Sequence, residues 1–181
     1  GYLNIVTPNT ALDLIRTHRT VFEGAQGILL DQWHGFHPYT TWSNTTPENA
    51  LALLKEAGID DDDIETIGVL RTYMTRHGAG PFVSEGYGDI HPHGIEHNTI
   101  NAWQGTFRSG CFDLMMMQYA LRCMHDHGGI DTIALTHVDA FGAYPTGVPY
   151  CTGYRLPDGK SEQLMKNYLI PRSGHSLSRQ E

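Results

Sequence analysis

The chain has few of the features that mark secreted or membrane-spanning proteins. Its three cysteines, Cys111, Cys123 and Cys151, are an odd number without Cys-x-x-Cys spacing. This pattern favours reduced thiols in a cytoplasmic protein over a disulfide framework or a zinc site. No run of about 18 apolar residues occurs, so no transmembrane helix is predicted. The start, Gly1 to Ile5, lacks the basic region and apolar core of a signal peptide, and it has no initiator Met, which suggests a fragment or processed chain.

Positive charge is also scarce. Twelve Lys and Arg residues stand against 20 Asp and Glu residues, for a formal net charge of −8. Because no basic stripe is present to displace counterions, nucleic acid is not expected as a partner. The remaining composition, 40% hydrophobic and 18% charged, describes an ordinary globular protein. A chain of 181 residues fits one domain or one large piece of a bigger domain.

The alternation of helix and strand patterns predicts an α/β fold class. Three helices are predicted, over Asn9–His18, from Pro47 to Gly58 behind a Thr46 cap, and over Cys111–Asp126 before Gly128-Gly129. Strands are predicted at Thr20–Phe22, Thr66–Tyr73, Asp131–Asp139 and Gly153–Leu156. In the third helix, Leu114, Met117, Leu121 and Met124 share one face, and the Met115–Met117 run is predicted to fill the core.

The stretch Val21–Thr46 carries the first candidate site. Glycines on both sides of Ala25-Gln26 let a ligand approach the backbone closely, and the Gln26 amide suits the edge of a heterocycle. A cluster of Thr, Ser and Asn residues, including Thr41 and Asn44, precedes a helix N-terminus, where free N–H groups favour a phosphate. An ordinary glycine turn followed by a helix cap is the alternative reading of these residues.

Other segments bear on ligands and metals. The glycine-rich turn Thr75–Phe82 follows the strongest predicted strand. Because ligands of open α/β sheets bind outside the carboxyl ends of strands, this turn is a candidate second wall of the same ligand site. The carboxylates of Asp60–Asp63 are consecutive and point in different directions. The histidines His91, His93 and His97 lack helical placement or a nearby cysteine. We therefore predict no metal site in this chain.

Six motifs, in chain order, resemble those of the adenylosuccinate synthetase family and cover nearly the whole chain from about Thr20 to Lys160. They are Phe22–Gly27, Tyr39–Thr46, Tyr73–Phe82 with Glu85, Gly110–Asp113, Leu135–Asp139 and Tyr154–Gly159. The resemblance implies an α/β fold with a mostly parallel central sheet, flanking helices and long irregular loops, related to P-loop proteins. It also implies that residues 1–181 form a single α/β piece from the centre of a larger domain.

The resemblance further implies a ligase of purine biosynthesis that joins L-aspartate to a 6-oxopurine nucleotide (IMP) with GTP and Mg²⁺, as a cytoplasmic homodimer. Gln26, Thr41 and Asn44 would belong to the purine-nucleotide site, with Thr41 at the 5′-phosphate. Gly105, Thr106 and Arg108 would form the loop for the amino acid and nucleotide. His137 and Asp139 would bind the base of GTP, where a carboxylate can accept from both guanine N1–H and the exocyclic amine.

Three departures from the family pattern qualify these expectations. The phosphate loop, with its catalytic residues and main Mg²⁺ contacts, and the C-terminal segment are absent from this sequence, so we expect weak binding, no catalytic residue and no turnover. Gly105 and Phe107 stand where arginines are expected. Arg108 is therefore the one residue of this loop whose guanidinium could bind a carboxylate through two hydrogen bonds. His137 replaces a lysine, which affects the choice of GTP over ATP.

These departures leave two alternatives open. One is a related ligase, of phage or secondary-metabolism type, with a different purine, amine or nucleotide donor. The other is a non-catalytic nucleotide-binding module.

Overall fold

A computed structural model describes residues 5–87, 100, 102–139 and 149–155, and the backbone of 161–163 and 178–179. The helices are α1 (Pro8–Thr17), α2 (Glu48–Glu56) and α3 (Leu114–His125), with 3₁₀ turns at Ile28–Leu30 and Asp61–Asp63. The strands are β1 (Ile67–Arg71), β2 (Met74–His77), β3 (Phe107–Gly110), β4 (Phe112–Asp113), β5 (Thr132–Thr136), β6 (Tyr150–Cys151), β7 (Gly153–Arg155), β8 (Ser161–Gln163) and β9 (Ser178–Arg179).

The strand pairing confirms the predicted α/β class. β1 pairs in parallel with β5, from Ile67 opposite Thr132 to Arg71 opposite Thr136. β4 and β6 form a second parallel pair, and α3 lies between β4 and β5 in the chain. Antiparallel pairs join β2 to β3 and β7 to both β8 and β9. The β2–β3 pair matters most for function because it brings two glycine turns together.

The core lies between α3 and the strands that flank it. Its buried members are Phe36, Tyr73, Cys111, Met115, Met116, Cys151 and Tyr154. The prediction that the methionine run fills the core is confirmed for Met115 and Met116. The residues on the predicted face of α3 are half-buried, while Met115 and Met116 are buried.

The N-terminus of α3 shows why the predicted start was three residues early. Asp113 is the N-cap, and its Oδ1 accepts from the N–H groups of Met115 and Met116 at 3.0 and 3.1 Å. Its Oδ2 accepts from the Tyr154 hydroxyl at 2.8 Å. Burial first, and then the Asp113 carboxylate, raise the pKa of Tyr154. Cys111 is therefore placed in the core rather than in the helix.

The parallel pair of β1 and β5 exposes apolar side chains. Ile67 is 52% exposed, Val69 69%, Ile133 45% and Leu135 46%. The prediction of a buried strand is therefore wrong for β5, because the described residues supply no complete layer on either face of the pair. Apolar strands without such a layer are the usual mark of a surface that another segment covers.

One predicted strand is absent from the described residues, and the helix ends lie close to their predicted positions. The predicted strand Thr20–Phe22 is wrong, since these residues have no strand partner among those described. Helix α2 begins after Pro47, which takes the cap position predicted for Thr46. The helix stops are confirmed, because Gly58, Gly128 and Gly129 have φ of 73°, 96° and 81°. His91, His93 and His97 lie outside the described residues.

Within the described segments, no helix combines the length and apolar character needed to cross a membrane.

Candidate functional site

Two glycine-containing turns line a cleft of about 470 Å³. Gly78, Ala79 and Gly80 follow β2, while Gly105, Thr106 and Arg108 lie at the start of β3. The Gly78 N–H donates to the Thr106 carbonyl at 2.9 Å, which closes the two turns on each other. Gly78 and Gly105 have φ of 68° and 74°, and a Cβ on Gly105 would lie 3.3 Å from the Gly78 Cα. Glycine is therefore required where the turns meet.

Arg108 closes one side of the cleft. Its Nε and Nη2 donate to the two Glu85 carboxylate oxygens at 2.7 and 2.6 Å. Its Nη1 donates to the carbonyls of Gly78 and Gly80 at 2.8 and 3.0 Å. The hydrogen bond between the two side chains raises the pKa of Arg108 and lowers the pKa of Glu85.

These contacts limit what Arg108 can still bind. A guanidinium has five N–H donors, and four of them are used here. One donor cannot make a two-pronged contact with a second carboxylate. In this structure the fork predicted for a substrate carboxylate faces Glu85.

Removing Arg108 should therefore destabilise the turns more than removing its acidic partner. We expect Arg108→Ala to cost about 2–3 kcal/mol in free energy of unfolding, because two glycine carbonyls lose a charged donor. Glu85→Gln should cost about 1 kcal/mol or less, because the Glu85 side chain is 43% exposed. Urea denaturation of both variants, with the exposed Arg19→Ala as control, checks this order. Equal losses for Arg108→Ala and Glu85→Gln would show that the ion pair alone holds the turns.

The loop that carries Thr41 is organised by Asp31, which is completely buried. Its Oδ1 accepts from the N–H groups of Trp33 and His34 at 2.8 and 3.1 Å. Its Oδ2 accepts from the Thr45 N–H at 2.6 Å and the Thr45 hydroxyl at 3.3 Å. Burial acts to raise the pKa of Asp31, but the backbone donors outweigh it and the pKa is lowered. One carboxylate thus fixes both ends of the segment that contains Thr41.

Arg76 joins this loop to the cleft. It is buried, and its Nε donates to the Ala79 carbonyl at 3.1 Å. Its Nη2 donates to the Tyr39 carbonyl at 2.9 Å. Burial first, and then the charge of Arg108, lower the pKa of Arg76. The two stretches that the sequence predicted as walls of one site therefore do lie side by side.

The predicted residues of the purine-nucleotide site have different surroundings. Gln26 is exposed at a positive φ of 63°, so its amide is presented at the surface of the glycine turn. Thr41 is half-buried, its N–H donates to the Leu30 carbonyl at 2.7 Å, and its hydroxyl lies 3.3 Å from that of Ser43. Both side chains keep hydrogen-bonding capacity for a ligand.

Asn44 instead supports the start of α2. Its Oδ1 accepts from the N–H and the hydroxyl of Thr46 at 2.7 and 2.5 Å. Its Nδ2 donates to the Glu48 carboxylate. The structure thus gives Asn44 a turn-forming role, and its contact with a nucleotide stays a prediction.

His137 and Asp139 lie where the parallel pair ends. The His137 ring stands edge-on to Tyr73, with centroids 5.6 Å apart, and its Nδ1 is 3.0 Å from the Thr136 hydroxyl. The Thr72 hydroxyl donates to the His137 carbonyl at 2.8 Å, which holds a positive φ of 58°. Asp139 is exposed. His137 and Asp139 therefore lie just beyond the carboxyl ends of β1 and β5, a position that suits a ligand.

No role is predicted from the sequence for Asp31, Arg76 or Glu85, although Arg76 and Glu85 lie in one of the family motifs. A charged residue that ends an apolar run, as in Ile28-Leu29-Leu30-Asp31, was the available signal for Asp31. The magnesium implied by the resemblance finds no ligand set in the part of the chain that the structure describes, where no three His, Cys, Asp or Glu side chains surround a common point.

The fold and the cleft define an α/β protein with a glycine-lined site at one end of the antiparallel β2–β3 pair. The chain belongs to the adenylosuccinate synthetase family, a family of ligases, since the family model of that description matches residues 6–177. This finding confirms the resemblance on which the site residues were predicted.

Individual relatives agree with this family membership. The adenylosuccinate synthetase of Desulforamulus reducens is 34% identical over 167 residues, which cover 86% of this chain and 37% of the relative. The enzyme of Vibrio cholerae is 35% identical over 174 residues, covering 91% and 38%. The chain thus spans little more than a third of the length of these relatives.

Two solved structures have the same fold. The fully ligated adenylosuccinate synthetase of Plasmodium falciparum matches with a TM-score of 0.56 and 27% identity, over 78% of this chain and 32% of that one. The succinoaminodeoxyadenylate synthetase of cyanophage S-2L, bound to dGMP and to dATP as an energy donor, matches with a TM-score of 0.52, over 82% and 47%. At 21% identity, the second similarity shows the fold alone.

Proposed function

We propose that the protein is the central part of a GTP-dependent ligase that joins L-aspartate to the 6-oxopurine nucleotide IMP. The observation that carries the proposal is the bridge made by Arg76, which holds Tyr39 against Ala79 and so places the Thr41 loop beside the glycine-lined cleft. Family membership supplies the reaction type.

Within this proposal, the two sides of the site have separate tasks. Gln26 contacts the purine nucleotide through an amide that both donates and accepts, and Thr41 donates its hydroxyl to the 5′-phosphate. Gly105 and Thr106 let the amino acid approach the backbone closely, because no bulky side chain covers the turn. His137 and Asp139 take the base of GTP at the end of β5.

The remaining parts of the proposal concern the whole protein. Mg²⁺, with its main ligands outside this chain, would neutralise phosphate charge in the reaction. The protein would act in the cytoplasm as a homodimer.

One observation favours a second candidate, a related ligase that uses another amine. The guanidinium of Arg108 is committed to Glu85 and to two glycine carbonyls, and the other loop positions expected to be arginine are Gly105 and Phe107. A dicarboxylate would therefore lose charge-assisted contacts, each about 1.5–3 kcal/mol. An amine with fewer carboxylates fits this loop better.

Ligand-observed NMR of the 181-residue chain tests the nucleotide part of the proposal. We expect weak binding of IMP, because the Gln26 amide can donate to the 6-oxo group and accept from the N1–H of the base. Thr41→Val should weaken IMP about tenfold and leave inosine, which has no phosphate, unchanged, since one hydrogen bond to a charged group is lost. Gln26→Leu should weaken both ligands.

The control is Thr20→Val, which removes an exposed hydroxyl outside the site. IMP binding that is identical in Thr41→Val and the parent would contradict the phosphate role. Adding L-aspartate or a monocarboxylate amine in the presence of IMP separates the two candidate functions. Saturable binding of the monocarboxylate amine alone would favour the second.

A further inference from the structure

Two histidines from separate parts of the chain meet outside the proposed nucleotide site. His34 lies in the loop after the first 3₁₀ turn, and His127 lies just beyond α3. Their Nε2 atoms are 3.2 Å apart, and their rings stand at 75° with centroids 5.3 Å apart. Without another ligand, one ring must donate its Nε2–H to the lone pair of the other.

The same nitrogen separation is what two histidines show when they share a metal ion. Zinc–nitrogen bonds of 2.0–2.1 Å at a tetrahedral angle put the two nitrogens about 3.3 Å apart. The observed separation therefore needs little change of the backbone to accept an ion. The His127 side chain is only 16% exposed, so its direction is fixed by packing.

An acidic residue orients the second ring from behind. The His127 Nδ1 lies 3.4 Å from the Glu48 Oε1, and the other Glu48 oxygen accepts from Asn44. A carboxylate on the nitrogen opposite the ligating one is the usual outer partner of a metal-bound histidine, because it fixes the tautomer that leaves Nε2 unprotonated. Glu48 supplies that partner here.

We propose that His34 and His127 bind a divalent transition-metal cation of the Zn²⁺ or Ni²⁺ type through their Nε2 atoms. Imidazole nitrogens suit these ions. When the ion binds, the ring that had donated its Nε2–H carries that proton on Nδ1 instead, so both rings ligate as neutral imidazoles. Water completes the coordination, since the described residues contain no third His, Cys, Asp or Glu side chain placed to join such a site.

The site would tie the Thr41-containing loop to the end of α3. A direct link already exists there, because the Tyr119 hydroxyl on α3 donates to the His34 carbonyl at 2.6 Å. An ion on the two rings would add a second link and should stabilise the fold. This inference does not depend on the proposed ligase function.

Thermal unfolding with added ZnCl₂ tests the site, with a chromophoric chelator as competitor to measure Kd. We expect Tm to rise by roughly 5–10 °C at a zinc concentration about 100 times Kd. His34→Gln and His127→Gln should each weaken Kd at least about tenfold, and Glu48→Gln by up to about tenfold. His125→Gln is the matched control, because His125 is 89% exposed and two residues from His127.

Two further measurements keep the result interpretable. A variant with His91, His93 and His97 all changed to Gln should keep the zinc-dependent rise in Tm. If a variant folds poorly, the ¹H–¹⁵N spectrum of the parent's histidine rings should still show zinc shifting the Nε2 resonances of His34 and His127. A rise in Tm that survives both His34→Gln and His127→Gln, or no rise in the parent, overturns the proposal.

Discussion

Replacing Asp31 with asparagine is expected to destabilise the protein by about 3 kcal/mol at neutral pH. The carboxylate accepts from three backbone N–H groups and one hydroxyl with no exposure to solvent. The asparagine amide keeps one acceptor oxygen, but its NH₂ group then faces donors. Hydrogen bonds to charged groups contribute about 1.5–3 kcal/mol each, and an unsatisfied buried donor adds a penalty. Urea denaturation measures the loss.

The pH dependence of stability gives the same prediction a second test. Although burial acts to raise it, the backbone N–H donors hold the pKa of Asp31 below the ordinary aspartate value of 3.8 in the folded state. The unfolded chain therefore binds the proton first as pH falls, so this contribution is fully present above about pH 4 and is lost as pH falls through the lower folded pKa. Asparagine has no such contribution. The gap in free energy of unfolding between the two proteins should therefore narrow below pH 4.

The control for Asp31 is Asp60→Asn, which changes an exposed carboxylate and should alter stability by less than about 0.5 kcal/mol. If Asp31→Asn costs no more than Asp60→Asn, the carboxylate does not organise the loop. Under the proposed function, Asp31→Asn should also weaken IMP binding even where the chain remains folded, because Thr45 and Trp33 position the segment around Thr41.

Local signals predicted much of the fold. Helix α1 was found within one residue of its predicted bounds, and glycines at positive φ end α2 and α3 as expected. These features depend on a few neighbouring residues, so a sequence shows them directly. The Thr20–Phe22 prediction failed for the opposite reason, since a strand needs a partner and apolar β-branched residues alone do not provide one.

The site was predictable in outline but not in its contacts. Glycine turns and the Thr41 cluster were identified as two walls because their residue types suit ligands. That Arg108 faces Glu85 instead of a ligand could not be predicted, because the two residues are 23 positions apart and meet where Glu85 forms an antiparallel bridge with Gly110 at the end of β3. The same holds for Asp31 and Thr45, which meet only because the intervening loop folds back.

Gly80 is where both walls of the site meet, and Gly80→Ala is expected to have the second large effect. Gly80 has a φ of 118°, a conformation that alanine rarely adopts, at a cost of about 1–3 kcal/mol. An added Cβ would lie 2.2 Å from the Arg76 Nη2 and 2.8 Å from the Tyr39 Cβ. The overlap is removed only if the Arg76 guanidinium moves, and this movement breaks its hydrogen bond to the Tyr39 carbonyl. We expect a total loss of about 3 kcal/mol in free energy of unfolding, and loss of IMP binding.

Two variants separate steric overlap from backbone strain. Gly24→Ala is the matched control, because no atom lies within 4 Å of the Cβ it would add. In an Arg76→Ala background, the guanidinium atoms that overlap the added Cβ are gone. The loss in free energy of unfolding caused by Gly80→Ala should therefore be smaller there, because only the backbone strain at Gly80 and the overlap with Tyr39 remain. Urea denaturation of the four proteins in this cycle measures that difference. Equal losses in both backgrounds would mean that Arg76 does not hold the Thr41 loop against the cleft, which removes the main structural support for the proposed nucleotide site.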